Sequence, residues 1–147
     1  KWNDPFLAWD VDEYNITNAK VKEEFIWRPD VVVSTSIRST NIRDDDNRRY
    51  AEIYPNGTVM QSMFAVFDNE CVMKVDNFPF DSHICVVRIG PWMYMTSEVS
   101  VTTGQTVIEP GENYMGNSEW ELTRITVEME YTTDNAPYSN YSGIVFK

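Results

Sequence analysis

Almost no stretch of this 147-residue sequence keeps apolar residues at helical spacing long enough to build a helix. The best candidate, residues 21–27, has the i, i+4 pair Val21 and Phe25, and Pro29 stops it almost at once. Short apolar runs take the place of helices, at residues 6–9, 31–33, 59–67, 84–89, 99–101, 120–129 and 144–146. Turn chemistry separates them, in Tyr54-Pro55-Asn56-Gly57, Pro110-Gly111 and Asn135-Ala136-Pro137. Many short strands with such punctuation predict an all-β, immunoglobulin-like sandwich. The length suits one domain with a real core.

The run at 120–129 carries a further constraint. Trp120 and Leu122 occupy even positions, whereas Ile125, Val127 and Met129 occupy odd ones. A period-2 pattern changes parity only at a bulge or where a strand passes between two environments. A long, bent strand is therefore expected there. Trp9, Trp27 and Trp120 are expected in the core.

Charge narrows the partners. With 23 acidic against 12 basic side chains the net charge is −11, which disfavours nucleic acid and favours cations near the surface. The run Arg43-Asp44-Asp45-Asp46-Asn47-Arg48-Arg49 reads as a solvated loop and lacks the EF-hand spacing. Three sequons, at Asn15, Asn56 and Asn140, fit a secreted, glycosylated surface.

Enzyme chemistry finds little support. His83 is the only histidine, no nucleophile elbow is present, and two cysteines with one histidine do not make a zinc site. The carboxylate pairs Asp10 and Asp12, and Glu119 and Glu121, read as solvent-facing. No metal or cofactor is expected. Cys71 and Cys85 are best explained as one disulfide, closing a loop worth on the order of 3 kcal/mol of stability. Inside it, Phe78-Pro79-Phe80-Asp81 is a docking surface if exposed and a hydrophobic plug if buried. Trp2, Trp92, Tyr94, Tyr131, Tyr138 and Tyr141 fall at strand ends or in loops, where converging rings make a cage for a cation.

These motifs carry a resemblance. Cys71-x13-Cys85 enclosing Phe78-Pro79-Phe80-Asp81 resembles the signature loop of the Cys-loop pentameric ligand-gated ion channels. Trp2-Asn3-Asp4-x2-Leu7-x-Trp9 resembles the second strand of nicotinic acetylcholine receptor subunits, and Ile26-Trp27-Arg28-Pro29-Asp30 the approach to their binding loop A. Gly90-Pro91-Trp92-Met93-Tyr94 resembles loop B, and Glu119-Trp120-Glu121-Leu122 the ninth strand. The motifs keep the family's order over nearly the whole chain. Phe80 and the Gly-x-Trp form of loop B resemble the cation-selective, nicotinic branch.

The resemblance implies a ten-stranded sandwich within a homo- or hetero-pentamer, at the extracellular face of a plasma membrane or synapse. A small, acetylcholine-like cation would bind between neighbouring subunits. Residues 1–147 would be a partial extracellular ligand-binding domain, running from within the second strand into the tenth, and the membrane domain would lie outside them. By the same match Trp92 is the principal-face cation–π residue, with Tyr94 beside it and Tyr131 with Tyr138 or Tyr141 on loop C. Trp2 closes the box from the complementary face, Met60 and Ser62 fall on loop E, and Asp30 braces loop B. Residues Phe78, Pro79, Phe80 and Asp81 form the gating loop. Two features depart from the family's α-type subunits: loop C has no adjacent cysteine pair, and Ser34 stands where loop A usually has Tyr. The expectation is therefore a non-α, complementary-face subunit. The alternatives are a secreted pentamer similar to the soluble acetylcholine-binding proteins, or a structural subunit that binds no agonist.

Overall fold

A computed structural model describes residues 1–41, 49–63, 65–111, 114–133 and 140–147. The loop expected at residues 43–49 lies almost wholly outside the described residues, as does the Asn135-Ala136-Pro137 turn. Eleven strands are described: β1 (Trp2–Asn3), β2 (Ala19–Lys22), β3 (Val31–Val33), β4 (Ser36–Asn41), β5 (Tyr50–Ile53), β6 (Thr58–Met60), β7 (Ala65–Asn69), β8 (Val87–Pro91), β9 (Val107–Ile108), β10 (Ile125–Thr133) and β11 (Asn140–Phe146). The helices among the described residues are one α-turn, Val11–Tyr14, and two 3-10 turns, Pro5–Leu7 and Glu23–Phe25. The chain is all-β, as its sparse helical periodicity predicts.

Two compact units are present, one formed by residues 1–28 and 40–66, the other by residues 29–39 and 67–147. The first holds an antiparallel sheet ordered β1-β6-β5-β2. In β5, Ala51 and Ile53 alternate with Glu52, and they bury with Val59 of β6 to make the core. Trp2, Leu7, Trp9, Val21 and Ile26 pack against that cluster. The β5–β6 hairpin closes where Gly57 takes φ +78°, and a Cβ there would stand 2.4 Å from the Asp4 carbonyl oxygen. Only glycine meets both conditions. The Gly57 carbonyl in turn accepts the Asp4 N–H (2.8 Å), which fixes β1 at the sheet's edge.

The second unit holds an antiparallel sheet ordered β3-β8-β11-β10-β9, with Val127 and Val145 buried. Gly90 lets β8 approach β11 closely, since a Cβ there would lie 3.0 Å from the Ser142 carbonyl oxygen. β4 and β7 pair as a two-stranded ribbon.

Several expectations need correction. Residues 6–9 are not a strand: Asp4 accepts the Phe6 N–H on its side chain (3.0 Å) and Pro5 opens a 3-10 turn, whose fixed φ suits that position. The run at 21–27 splits into the end of β2 and the turn Glu23–Phe25. Residues 99–101 form no strand, and β8 starts at Val87, leaving Ile84 exposed. The run at 59–67 breaks between β6 and β7. The parity change near Arg124 needs no bulge, because β10 begins only at Ile125, where β9 pairs with Ile125 and Thr126. Trp120 and Leu122 belong to a different environment, outside the strand. Neither Trp27, 47% exposed, nor Trp120, 41% exposed, is in a core, and Trp9 packs on one only in part. Trp9 turns its indole N–H to the Ile16 carbonyl (2.8 Å).

Candidate ligand-binding and coupling site

On the first unit, the pairing of Trp2 with Val59 puts the Trp2 ring on the buried face of the sheet, and Met60, the next residue of β6, on the opposite, exposed face. Trp2 is half-buried against the core and meets Trp27 edge to face, with ring centroids 6.2 Å apart and planes at 84°. Its buried indole nitrogen has no hydrogen-bond partner among the described residues. Met60 is exposed at the end of β6, and beyond the strand Gln61 is half-buried and Ser62 exposed.

On the second unit, the turn that carries Trp92 is held by Asp30 in two ways. The Asp30 carbonyl accepts the Trp92 N–H (3.3 Å), and its Oδ2 accepts the Met93 N–H (2.7 Å). The other carboxylate oxygen is buried and has no partner among the described residues. Trp92 is 67% exposed just beyond β8, and Tyr94 is half-buried. Ser34 is exposed in the turn after β3, and its N–H donates to the Arg88 carbonyl (2.9 Å).

The hairpin register separates two of the tyrosines. Tyr131 lies opposite Ser142, and Tyr141 opposite Thr132, which puts the two rings on opposite faces of the β10–β11 pair. Tyr138 lies outside the described residues. Two connections absent from the sequence reading tie the segment after Trp92 to β11. Thr96 donates to the Asn140 carbonyl through its N–H (2.7 Å) and its hydroxyl (2.9 Å). The Ser142 hydroxyl, in a residue 3% exposed, accepts the Val101 N–H (2.9 Å). Nothing in the sequence marked Thr96, whereas Ser142 sits on the same face as Ile144 and Phe146.

Cys71 and Cys85 form a disulfide with Cα atoms 5.0 Å apart. At the tip of the enclosed loop Phe78 and Phe80 are 78% and 91% exposed, with a cis Phe78–Pro79 peptide between them. The tip is a surface and not a plug. Asp81 instead turns inward, where its Oδ2 lies 2.6 Å from His83 Nε2. His83 Nδ1 accepts the Lys74 N–H (3.4 Å) from the other limb of the loop. The imidazole also packs edge-on against Trp120, centroids 5.0 Å apart. The lone histidine thus fastens both limbs of the loop and Trp120 together.

The sequon asparagines are all exposed. Asn15 ends the α-turn at φ +51°, Asn56 accepts the Thr58 N–H on its side chain (3.0 Å), and Asn140 opens β11. Among the described residues no group of three His, Cys, Asp or Glu could hold a metal. A shallow cleft lined by Tyr114, Gly116, Trp120 and Leu122 is built from one stretch of chain and includes none of the aromatic box candidates. No helix of the described residues is long and apolar enough to cross a membrane.

A disulfide loop with an exposed aromatic tip, an aspartate-braced tryptophan turn and an edge tryptophan describe one architecture. The family model for the neurotransmitter-gated ion-channel ligand binding domain matches residues 1–147 in full. The chain belongs to this family. With it comes the fold class: an immunoglobulin-like β-sandwich of the nicotinic receptor type. Among similar proteins, the neuronal acetylcholine receptor subunit non-alpha-3 of Carassius auratus is 30% identical over 99% of this chain and 31% of its own length. The human neuronal acetylcholine receptor subunit alpha-5 is 28% identical over the same shares. The Caenorhabditis elegans acetylcholine receptor subunit alpha-type acr-16 is 33% identical over 86% of this chain and 25% of its own length. The chain thus spans about a third of the length of the first of these relatives. The family is one of ligand-gated channels and not of enzymes.

Proposed function

We propose that residues 1–147 are the extracellular agonist-binding and gating-coupling domain of a cation-selective, acetylcholine-type pentameric channel subunit at the cell surface. Agonist would sit between copies or siblings, where Trp2 of one subunit faces Trp92 of its neighbour. The observation that carries this reading is Trp2 itself: a ring anchored on the core and buttressed edge-on by Trp27. A fixed aromatic ring attracts a quaternary ammonium through its quadrupole, with about 2 kcal/mol or more available once the cation is desolvated.

The complementary face is the better supplied one. Ser34 has no ring to offer the principal face, and both cysteines of the chain are engaged in the disulfide. Asp30 would brace Trp92, Tyr94 would lie beside it, and Tyr131 would cover the site from loop C with Tyr138 rather than Tyr141, which lies on the opposite face. The exposed Phe78-Pro79-Phe80 tip would touch a membrane domain and pass agonist closure to the pore, and Asn15, Asn56 and Asn140 would carry glycans. In pentamers containing the full-length subunit, Trp2→Ala or Trp92→Ala should weaken acetylcholine binding about tenfold or more, read by equilibrium binding on intact cells. Unchanged affinity in both variants would falsify the aromatic assignment. Ser34 also favours a second reading, a structural subunit without agonist; ligand-gated current with and without candidate partner subunits separates the two.

A further inference from the structure

The three sequons meet different fates in the fold. Asn15, Ile16 and Thr17 are all exposed and belong to no strand. Asn56 stands exposed in the β5–β6 turn. Asn140-Tyr141-Ser142 instead forms the start of β11, with Asn140 opposite Thr133 and Ser142 opposite Tyr131. The Asn140 carbonyl accepts both the N–H and the hydroxyl of Thr96 (2.7 and 2.9 Å). Ser142 is 3% exposed; its hydroxyl accepts the Val101 N–H (2.9 Å) and donates to the Val99 carbonyl (3.5 Å). The one proton of that hydroxyl is thereby committed, and water is shut out from it.

Sequon glycosylation needs that same group. The asparagine Nδ2 displaces pyrophosphate from the anomeric carbon of a lipid-pyrophosphate-linked oligosaccharide: a C–N bond forms, the C–O bond to pyrophosphate breaks, and the amide loses one proton. The Ser or Thr hydroxyl two residues on is part of what the transferase recognises. We propose that Asn140 is a folding-gated glycosylation site, open while β11 is unpaired and closed once Ser142 is buried on Val101. This rests on the reading above that the sequons carry glycans, and adds what limits one of them. β8 and β10, the strands that pair with β11, precede it in the chain, as do Thr96 and Val101, so closure waits for nothing made later. A hairpin closes in roughly 1–10 μs, against about 5–20 residues added per second in synthesis. The Asn140 side chain stays exposed in the strand, so a glycan attached early is carried on the folded sheet. Two populations result, with and without a glycan at Asn140.

The test is site-by-site glycan occupancy of the full-length subunit, read by mass spectrometry on the total cellular pool. Asn15 should be occupied in nearly all chains and Asn140 in a smaller fraction. Removing the disulfide by Cys71→Ala and Cys85→Ala together weakens the second unit, where β8 begins just after Cys85, and prolongs the unpaired state of β11. Alanine is used because serine at position 71 would create a new sequon at Asn69. Occupancy at Asn140 should then rise toward the Asn15 value, and chains that never fold still report it. Asn140 occupied as fully as Asn15 before the change, or unaltered by it, overturns the proposal. Bare asparagine at all three sites overturns the glycan reading and the inference with it.

Discussion

Asp30 holds the turn that carries Trp92 with its backbone carbonyl and one carboxylate oxygen. Its two bonds to the Trp92 and Met93 N–H groups satisfy donors that the end of β8 leaves open, and one of them is to a charged acceptor. Such a bond contributes about 1.5–3 kcal/mol. Asp30→Ala in the full-length subunit should therefore weaken agonist binding about tenfold where this chain supplies the principal face, while Asp30→Asn, which keeps an oxygen for the Met93 N–H, costs less. Equal loss in both variants would show that charge, and not the bond to Met93, is what matters. Asp30 was legible as a candidate because it follows Trp27-Arg28-Pro29 in a motif. The tie from Thr96 to Asn140 was not legible, since the two lie 44 residues apart and only the fold brings them together.

Among the elements, β10 marks where pattern reading succeeded and where it misled. Alternation at Ile125, Val127 and Met129 identified the strand, yet Trp120 and Leu122 were joined to it because apolar alternation reads the same inside a strand and beside one. What ends the strand is pairing: β9 reaches only Ile125 and Thr126, and Trp120 finds His83 instead. Similarly, Phe6 and Leu7 looked like strand residues until the Asp4 cap and Pro5 set a 3-10 turn. The choice between Tyr138 and Tyr141 depends on a hairpin register that no period reveals, and Tyr131 and Tyr141 fall on opposite faces. Hydrogen exchange on the assembled receptor should find protected amides from Thr126 through β10 and fast exchange at residues 119–124. Protection continuous from Trp120 would restore the longer strand.

Across the whole chain, the arrangement separates tasks. One sheet carries Trp2 against Trp27; the other carries the Trp92 turn, and the disulfide loop holds out an exposed apolar tip. No single copy needs to complete the aromatic box, which is why assembly and ligand binding belong together in this reading. The charge of −11 would draw a cationic agonist and permeating cations toward such a ring. The fold class was legible from turn chemistry and short runs, and the family from motifs in order. The ring contacts of Trp27 with Trp2 and of His83 with Trp120 came only from the three-dimensional arrangement. The central claim is that a cation meets the faces of Trp2 and Trp92, and graded fluorination of each indole in the full-length receptor measures it most directly. Fluorine withdraws electron density from the ring with little change in shape, so acetylcholine potency should fall stepwise with each added fluorine at one or both positions. Potency indifferent to fluorination at both rings would contradict the account.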